Sequence, residues 1–155
     1  LLVETFTFLF TDIEGSTSML RRLGEASYAD VLAGHHLLIR SALAARGGEE
    51  VDTQGDAFFV VFSSPTACVA AAMEMQQAIR ARTWPGGEQV RVRMGVHTGE
   101  ASRAATGLVG LDVHRTARMA AVAYGGQILL SETAAAMVRE SLPPGAGCGT
   151  SVSTG

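Results

Sequence analysis

Phe8-Leu9-Phe10-Thr11-Asp12-Ile13-Glu14-Gly15-Ser16-Thr17 decides the reading of this chain, because it passes directly from a strand to a carboxylate to a helix start. Phe6, Phe8 and Phe10 recur with period two over Thr5 to Thr11, the signature of a strand with one apolar face, and the pattern stops at Asp12. Gly15-Ser16-Thr17 then opens a helical stretch to Leu23. A longer one from about Ala26 to Arg46 carries Val31, Leu32, Leu38, Ile39 and Leu43, and Gly47-Gly48 ends it.

Downstream, Glu50-Val51-Asp52-Thr53 and Ala57-Phe58-Phe59-Val60-Val61-Phe62 read as strands joined tightly at Gln54-Gly55-Asp56, which places Asp56 at a loop tip. Ser64-Pro65 introduces a helix with Val69, Met73 and Ile79 on a helical period, closed by Trp84-Pro85-Gly86-Gly87. Val90 to His97 alternates as a half-buried strand, Asp112 to Val122 is helical, Gln127 to Leu130 is a short strand, and Ser131-Glu132 starts a last helix. This order predicts an α/β fold, an α+β sandwich with a ferredoxin-like βααββαβ core: a mainly antiparallel sheet, helices on one face and the hairpin at its centre. One domain is expected over residues 1–142. Beyond Pro143-Pro144, residues 143–155 form a Gly/Ser-rich tail with no apolar pattern, expected to be disordered.

With 155 residues, 47% of them apolar, the chain suits a single core, and its net charge of −3 comes from interspersed acids and bases. No basic stripe is present to neutralise a nucleic-acid backbone, so DNA and RNA are not expected as partners. Cys68 and Cys148 have neither disulfide-framework nor metal-ligand spacing, and no apolar run approaches bilayer length. The expectation is a cytoplasmic domain without direct membrane contact.

Asp12 ends a strand and Asp56 sits in a hairpin turn; if those strands are neighbours, the two carboxylates converge. Hard oxygen ligands of this kind suit Mg²⁺ or Mn²⁺, which keep waters and bind substrate phosphates with one or two protein carboxylates. The alternative is structural, with Asp12 a helix cap and Asp56 a turn former. Gly15, Ser16 and Thr17 stand at a helix N-terminus, where free N–H groups and the helix dipole favour a phosphate, although the same residues also make a plain cap.

Phe8 to Thr17, Thr53-Gln54-Gly55-Asp56-Ala57-Phe58 and Val113-His114-Arg115-Thr116-Ala117-Arg118-Met119 together resemble the class III adenylate and guanylate cyclase family. Met94-Gly95-Val96-His97-Thr98-Gly99 and Gly125-Gly126-Gln127-Ile128 resemble its later core segments in the right order, and the nearest likeness is to cyclase-like domains of actinobacterial multidomain regulators. The resemblance implies conversion of ATP or GTP to a 3′,5′-cyclic nucleotide with two Mg²⁺ or Mn²⁺ ions. It implies a head-to-tail homodimer, or pairing with another cyclase domain, in which metal residues of one subunit meet base-reading and transition-state residues of the other. By the same resemblance Asp12, Asp56 and the main-chain carbonyl of Ile13 hold the metals, and Arg118 stabilises charge on the phosphates.

Three positions depart from the family pattern. Asp52 stands where adenylate cyclases carry a base-reading lysine, and guanylate cyclases resemble this chain in carrying an acid there. Gly107 or Leu108 takes the second base-reading place, and His114 replaces the asparagine that holds the ribose. A carboxylate at Asp52 accepts from guanine N1–H and its 2-amino group, and His114 can donate as asparagine does, so a weak, Mn²⁺-favouring enzyme is expected. The alternative is a catalytically degenerate domain that binds nucleotide or regulates a partner. Asp112 reads as a helix N-cap, His35 and His36 as partly exposed helix residues, and His97 as the end of a strand. Gly47-Gly48-Glu49-Glu50-Val51 superficially resembles the diguanylate cyclase signature, but it follows a helix as a glycine stop and precedes the hairpin.

Overall fold

The structure, a computed structural model, describes residues 2–139. The predicted tail at 143–155, with Cys148, lies outside the described residues.

Strand β1 (Val3–Ile13) is followed by helices α1 (Ser16–Leu23) and α2 (Glu25–Arg46), the hairpin β2 (Glu49–Gln54) and β3 (Ala57–Phe62), and helix α3 (Pro65–Ala81). A single 3₁₀ turn at Pro85–Gly87 leads to β4 (Val92–Ala104), β5 (Gly107–Val109), α4 (Leu111–Val122), β6 (Ile128–Leu130) and α5 (Glu132–Val138). The sheet runs β2-β3-β1-β4-β5, with antiparallel pairing throughout that path, and β6 joins β4 in parallel. The expected α+β sandwich with a mainly antiparallel sheet is therefore present.

Two details of the expectation change. The hairpin is not central: β1 lies in the middle and β2 at an edge, because the Phe-rich β1 pairs on one side with β3 and on the other with β4. Side chains on both sides of β3 are buried, which fits its unbroken apolar run, whereas β2 alternates between exposed and half-buried. Nor do the helices all share one face. Leu9, Ile13, Val60, Phe62, Met94 and Val96 pack under α2, α3 and α5 in the main core, whereas Phe6, Phe8, Phe59, Val61 and Ala101 face the other way.

Among the described helices α4 alone lies on that second face. It approaches β4 at Gly95, where a Cβ would stand 2.7 Å from the Ala120 nitrogen and 3.0 Å from the Thr116 oxygen. Half of the face stays thinly covered, and Phe10, Val51, Leu108 and Val113 are only partly buried there.

His35 is fully buried, contrary to the expected partial exposure. Its Nδ1 lies 3.1 Å from Nδ1 of His36, and its ring meets Phe58 edge-on at 5.7 Å. Adjacent helix residues point about 100° apart, but long rings swing back toward a shared aromatic neighbour, here Phe58 beneath both.

Candidate active site

Asp56 comes to lie against the peptide that follows Asp12 at the end of β1. Antiparallel pairing carries β1 out to Ile13, and the tight β2–β3 turn brings Asp56 back beside it, so that Asp56 Oδ2 accepts the Ile13 N–H at 2.7 Å. That amide is joined directly to Asp12. The Asp12 carboxylate is gripped by Arg93, its cross-strand partner on β4, with Nε to Oδ1 and Nη2 to Oδ2 both at 2.6 Å. Hydrogen bonding to Asp12 raises the Arg93 pKa, burial opposes, and the charges of Asp12, Glu14 and Asp56 add to the rise. The sequence reading did not single out Arg93. The signal was an opposite-charge cross-strand pair, legible only once the β1–β4 register is known.

The start of α1 borders this edge. Gly15 takes the left-handed conformation at φ 67° as N-cap, and no side chain caps the first turn that holds Ser16 and Thr17. Tyr28 of α2, also missed by the sequence reading, stands over the same place: burial first, then the Asp56 charge, raise its phenol pKa, while Ser16 hydrogen-bonds to it and opposes. Glu14 folds away to accept the Gly125 N–H at 2.5 Å.

Asp52, Gly107, Leu108 and His114 line one cleft of about 360 Å³ with Phe10 and Phe59 as its aromatic floor. A bulge between Glu50 and Asp52 sets Asp52 opposite Phe59, on the open face of the sheet. There Asp52 is exposed and accepts from Gln54 Nε2 at 2.9 Å. His114 and Arg118 are exposed on α4, four residues apart and hence on one face.

Asp112 is not the N-cap of α4. Gly110 holds that position, and Asp112, in the first turn, turns inward to bond His97 Nε2 at 2.7 Å and the Glu100 N–H at 2.9 Å. His97 in turn lies within β4, buried, and does not end it.

The Asp12 and Asp56 carboxylates and the Ile13 carbonyl are hard oxygen donors, a chemistry that suits Mg²⁺ or Mn²⁺ better than a softer ion, and here both Asp12 oxygens are engaged by Arg93. Among the described residues no group of three or more His, Cys, Asp or Glu side chains is placed to hold a metal. No described helix is long and apolar enough to cross a membrane.

A central β1 flanked by the β2–β3 hairpin on one side and a long β4 on the other is the architecture of nucleotidyl cyclase catalytic domains. Solved structures agree in architecture. The guanylyl cyclase domain of the RhoGC fusion protein of Blastocladiella emersonii superposes with TM-score 0.84 at 22% identity, covering 88% of this chain and 86% of that one. An adenylate cyclase of Trypanosoma brucei gives TM-score 0.79 at 26% identity, covering 90% and 75%. The sequence family described as adenylate and guanylate cyclase catalytic domain matches residues 2–144, and the chain belongs to it. An uncharacterized protein of Mycobacterium tuberculosis is 31% identical over 90% of this chain and 47% of its own length. A receptor-type adenylate cyclase of Trypanosoma equiperdum is 33% identical over 86% and 37%. The chain thus spans less than half the length of these curated relatives.

Proposed function

We propose that this domain converts ATP or GTP to the 3′,5′-cyclic monophosphate with release of pyrophosphate, as a head-to-tail homodimer or paired with another cyclase domain. The observation that carries this reading is the 2.7 Å bond from the Ile13 N–H to Asp56, which sets Asp56 against the peptide that follows Asp12. Asp12, Asp56 and the Ile13 carbonyl would hold two Mg²⁺ or Mn²⁺ ions. Those ions would supply activation of the ribose 3′-hydroxyl and neutralisation of the leaving pyrophosphate.

The 3′-oxygen forms a bond to the α-phosphorus as the bond to the β-phosphate oxygen breaks, and the hydroxyl proton passes to solvent. The uncapped first turn of α1, at Gly15, Ser16 and Thr17, receives the terminal phosphates. From the partner subunit's copy of the cleft, Asp52 and the Gly107 segment face the base and His114 the ribose, while the Arg118 guanidinium stabilises charge gathering on the phosphates. The Asp52 carboxylate, an acceptor, can take up the two donors that guanine presents on that edge.

Activity is weak and favours Mn²⁺, because Asp52, Gly107 and His114 each replace a group that would bond the nucleotide. Those same replacements favour a second reading, a degenerate domain that binds nucleotide and regulates a partner. A product assay with ATP and GTP, each with Mg²⁺ and with Mn²⁺, tests both. Cyclic product from the wild type and none from Asp56→Ala supports the enzyme, whereas no product from either nucleotide in a confirmed dimer overturns it.

A further inference from the structure

A chain of hydrogen bonds, buried at Ser131 and His97 and opening to solvent at Asp112, ties α4 to the sheet. The Ala134 N–H donates to Ser131 Oγ at 3.2 Å, and Ser131 Oγ lies 2.7 Å from His97 Nδ1. On the other side of the ring, Nε2 meets Asp112 Oδ1 at 2.7 Å, and Asp112 Oδ2 accepts the Glu100 N–H at 2.9 Å. With the proton on Nε2 every member is satisfied: the serine hydroxyl donates to the bare Nδ1, and the ring donates to a carboxylate that only accepts.

The trio of serine, histidine and acid is not a hydrolytic site. Ser131 is 6% exposed and caps α5, so its hydroxyl has no approach for a substrate. What the chain does instead follows from where Asp112 sits. The N-cap of α4 is Gly110, which has no side chain to fix the helix start. Asp112 performs that task from the first turn, lying flat on β4 where Gly99 leaves room: a Cβ on Gly99 would be 2.3 Å from Asp112 Oδ2. Thr116 Oγ1 bonds the Asp112 carbonyl at 2.7 Å, so this turn of α4 moves as one piece with its tether. Burial works against ionisation of Asp112, yet the Glu100 N–H and the His97 ring outweigh it and hold its carboxyl below the ordinary value.

We propose that His97, acting through Asp112, is a positioning residue for α4, and that it sets the half of the active site that this chain offers to its partner. The inference rests on the dimeric cyclase reading. His97 touches neither nucleotide nor metal. It fixes the first turn of the helix on which His114 and Arg118 ride, whereas the Asp12 edge of its own chain meets α4 only at the helix's far end, through Arg93 and the Ala121 carbonyl.

The test uses that division. His97→Gln keeps a donor near the Nε2 position, and His97→Asn keeps a group only near Nδ1. Gly99→Ala displaces the Asp112 carboxylate without altering His97, which guards against a single misfolded variant. Expected are near wild-type turnover for His97→Gln, and for His97→Asn and Gly99→Ala a kcat at least about tenfold lower with KM changed less than about twofold. Each low-activity variant is then co-expressed with Asp56→Ala and, separately, with Arg118→Ala. In the first mixture one site combines the intact metal edge of the His97→Asn chain with the intact α4 of the other, and activity returns; in the second it does not.

Recovery with Arg118→Ala, or recovery with neither, overturns the positioning role. Asp56→Ala mixed with Arg118→Ala is the reference. If that pair fails to recover, the head-to-tail reading itself falls and takes this inference with it.

Discussion

Arg93 and Asp12 face each other across β4 and β1 in a two-pronged ion pair, and a further Arg93 nitrogen, Nη1, bonds the Ala121 carbonyl of α4 at 3.2 Å. One guanidinium therefore joins the carboxylate edge to the C-terminal end of α4. The pair is about one-quarter exposed on either side, shielded enough for its loss to register in stability.

Replacement of Arg93 by methionine is expected to lower stability by about 1–3 kcal/mol in chelator, since Asp12 is left beside Glu14 and Asp56 without its counter-charge. Millimolar Mn²⁺ should narrow that gap by taking over the neutralisation. Thermal denaturation with and without the ion measures it; an equal loss in both would mean that the cation does not bind at Asp12.

Asp52→Lys should move the product ratio toward cyclic AMP, because an ammonium donates where the carboxylate accepts. Stability should change by no more than about 0.5 kcal/mol, as the side chain is exposed. Chromatography of products from equimolar ATP and GTP reads the ratio, and an unchanged ratio would remove Asp52 from base recognition.

Burial first, and then the charge of His36, hold the His35 pKa down from 6.5 to about 4, and its Nε2 has no hydrogen-bond partner among the described residues. Between those two values the unfolded chain takes up a proton that the folded chain refuses. His35 therefore costs no stability above about pH 6.5, and up to about 3 kcal/mol is lost as pH falls toward 4. Denaturant unfolding across that window should give a flatter profile for His35→Phe than for the wild type; identical slopes would refute the assignment.

Gly95→Ala places a methyl against main-chain atoms of α4, where no side chain can yield. The expected cost is about 1–3 kcal/mol, with loss of turnover as the helix lifts from β4. Gly55→Ala serves as a comparison: nothing among the described residues lies near its Cβ, though its φ of 58° also strains alanine. A Gly95→Ala protein as active as the wild type would show that α4 tolerates displacement.

The strands, helices and order of this fold were legible because period-two and helical patterns are local properties of the chain, as in Phe6, Phe8 and Phe10. Strand order was not. That β1 rather than the hairpin takes the centre depends on pairing between residues some ninety positions apart, such as Thr7 with Thr98, which no local pattern encodes. The same holds within the site. Asp12 and Asp56 could be singled out by residue type and by the motif around them, whereas Arg93, Tyr28 and the His97–Asp112 link emerge only when distant segments are brought together. Asp112 misled for a related reason: an acid at a helix start usually serves its own helix, and here it serves the neighbouring strand.

The place of β1 bears on synthesis at the ribosome. Its first mate, β3, emerges within sixty or so residues, but its second, β4, begins only at Val92. A nascent chain halted in between would display a long, phenylalanine-rich edge with open amide and carbonyl groups, the kind of surface that invites another such edge. Translation slowed between the emergence of β3 and that of β4 should therefore depress the yield of soluble protein and lengthen the time that chaperones hold it, whereas a pause once β4 has left the ribosome should be harmless to that edge.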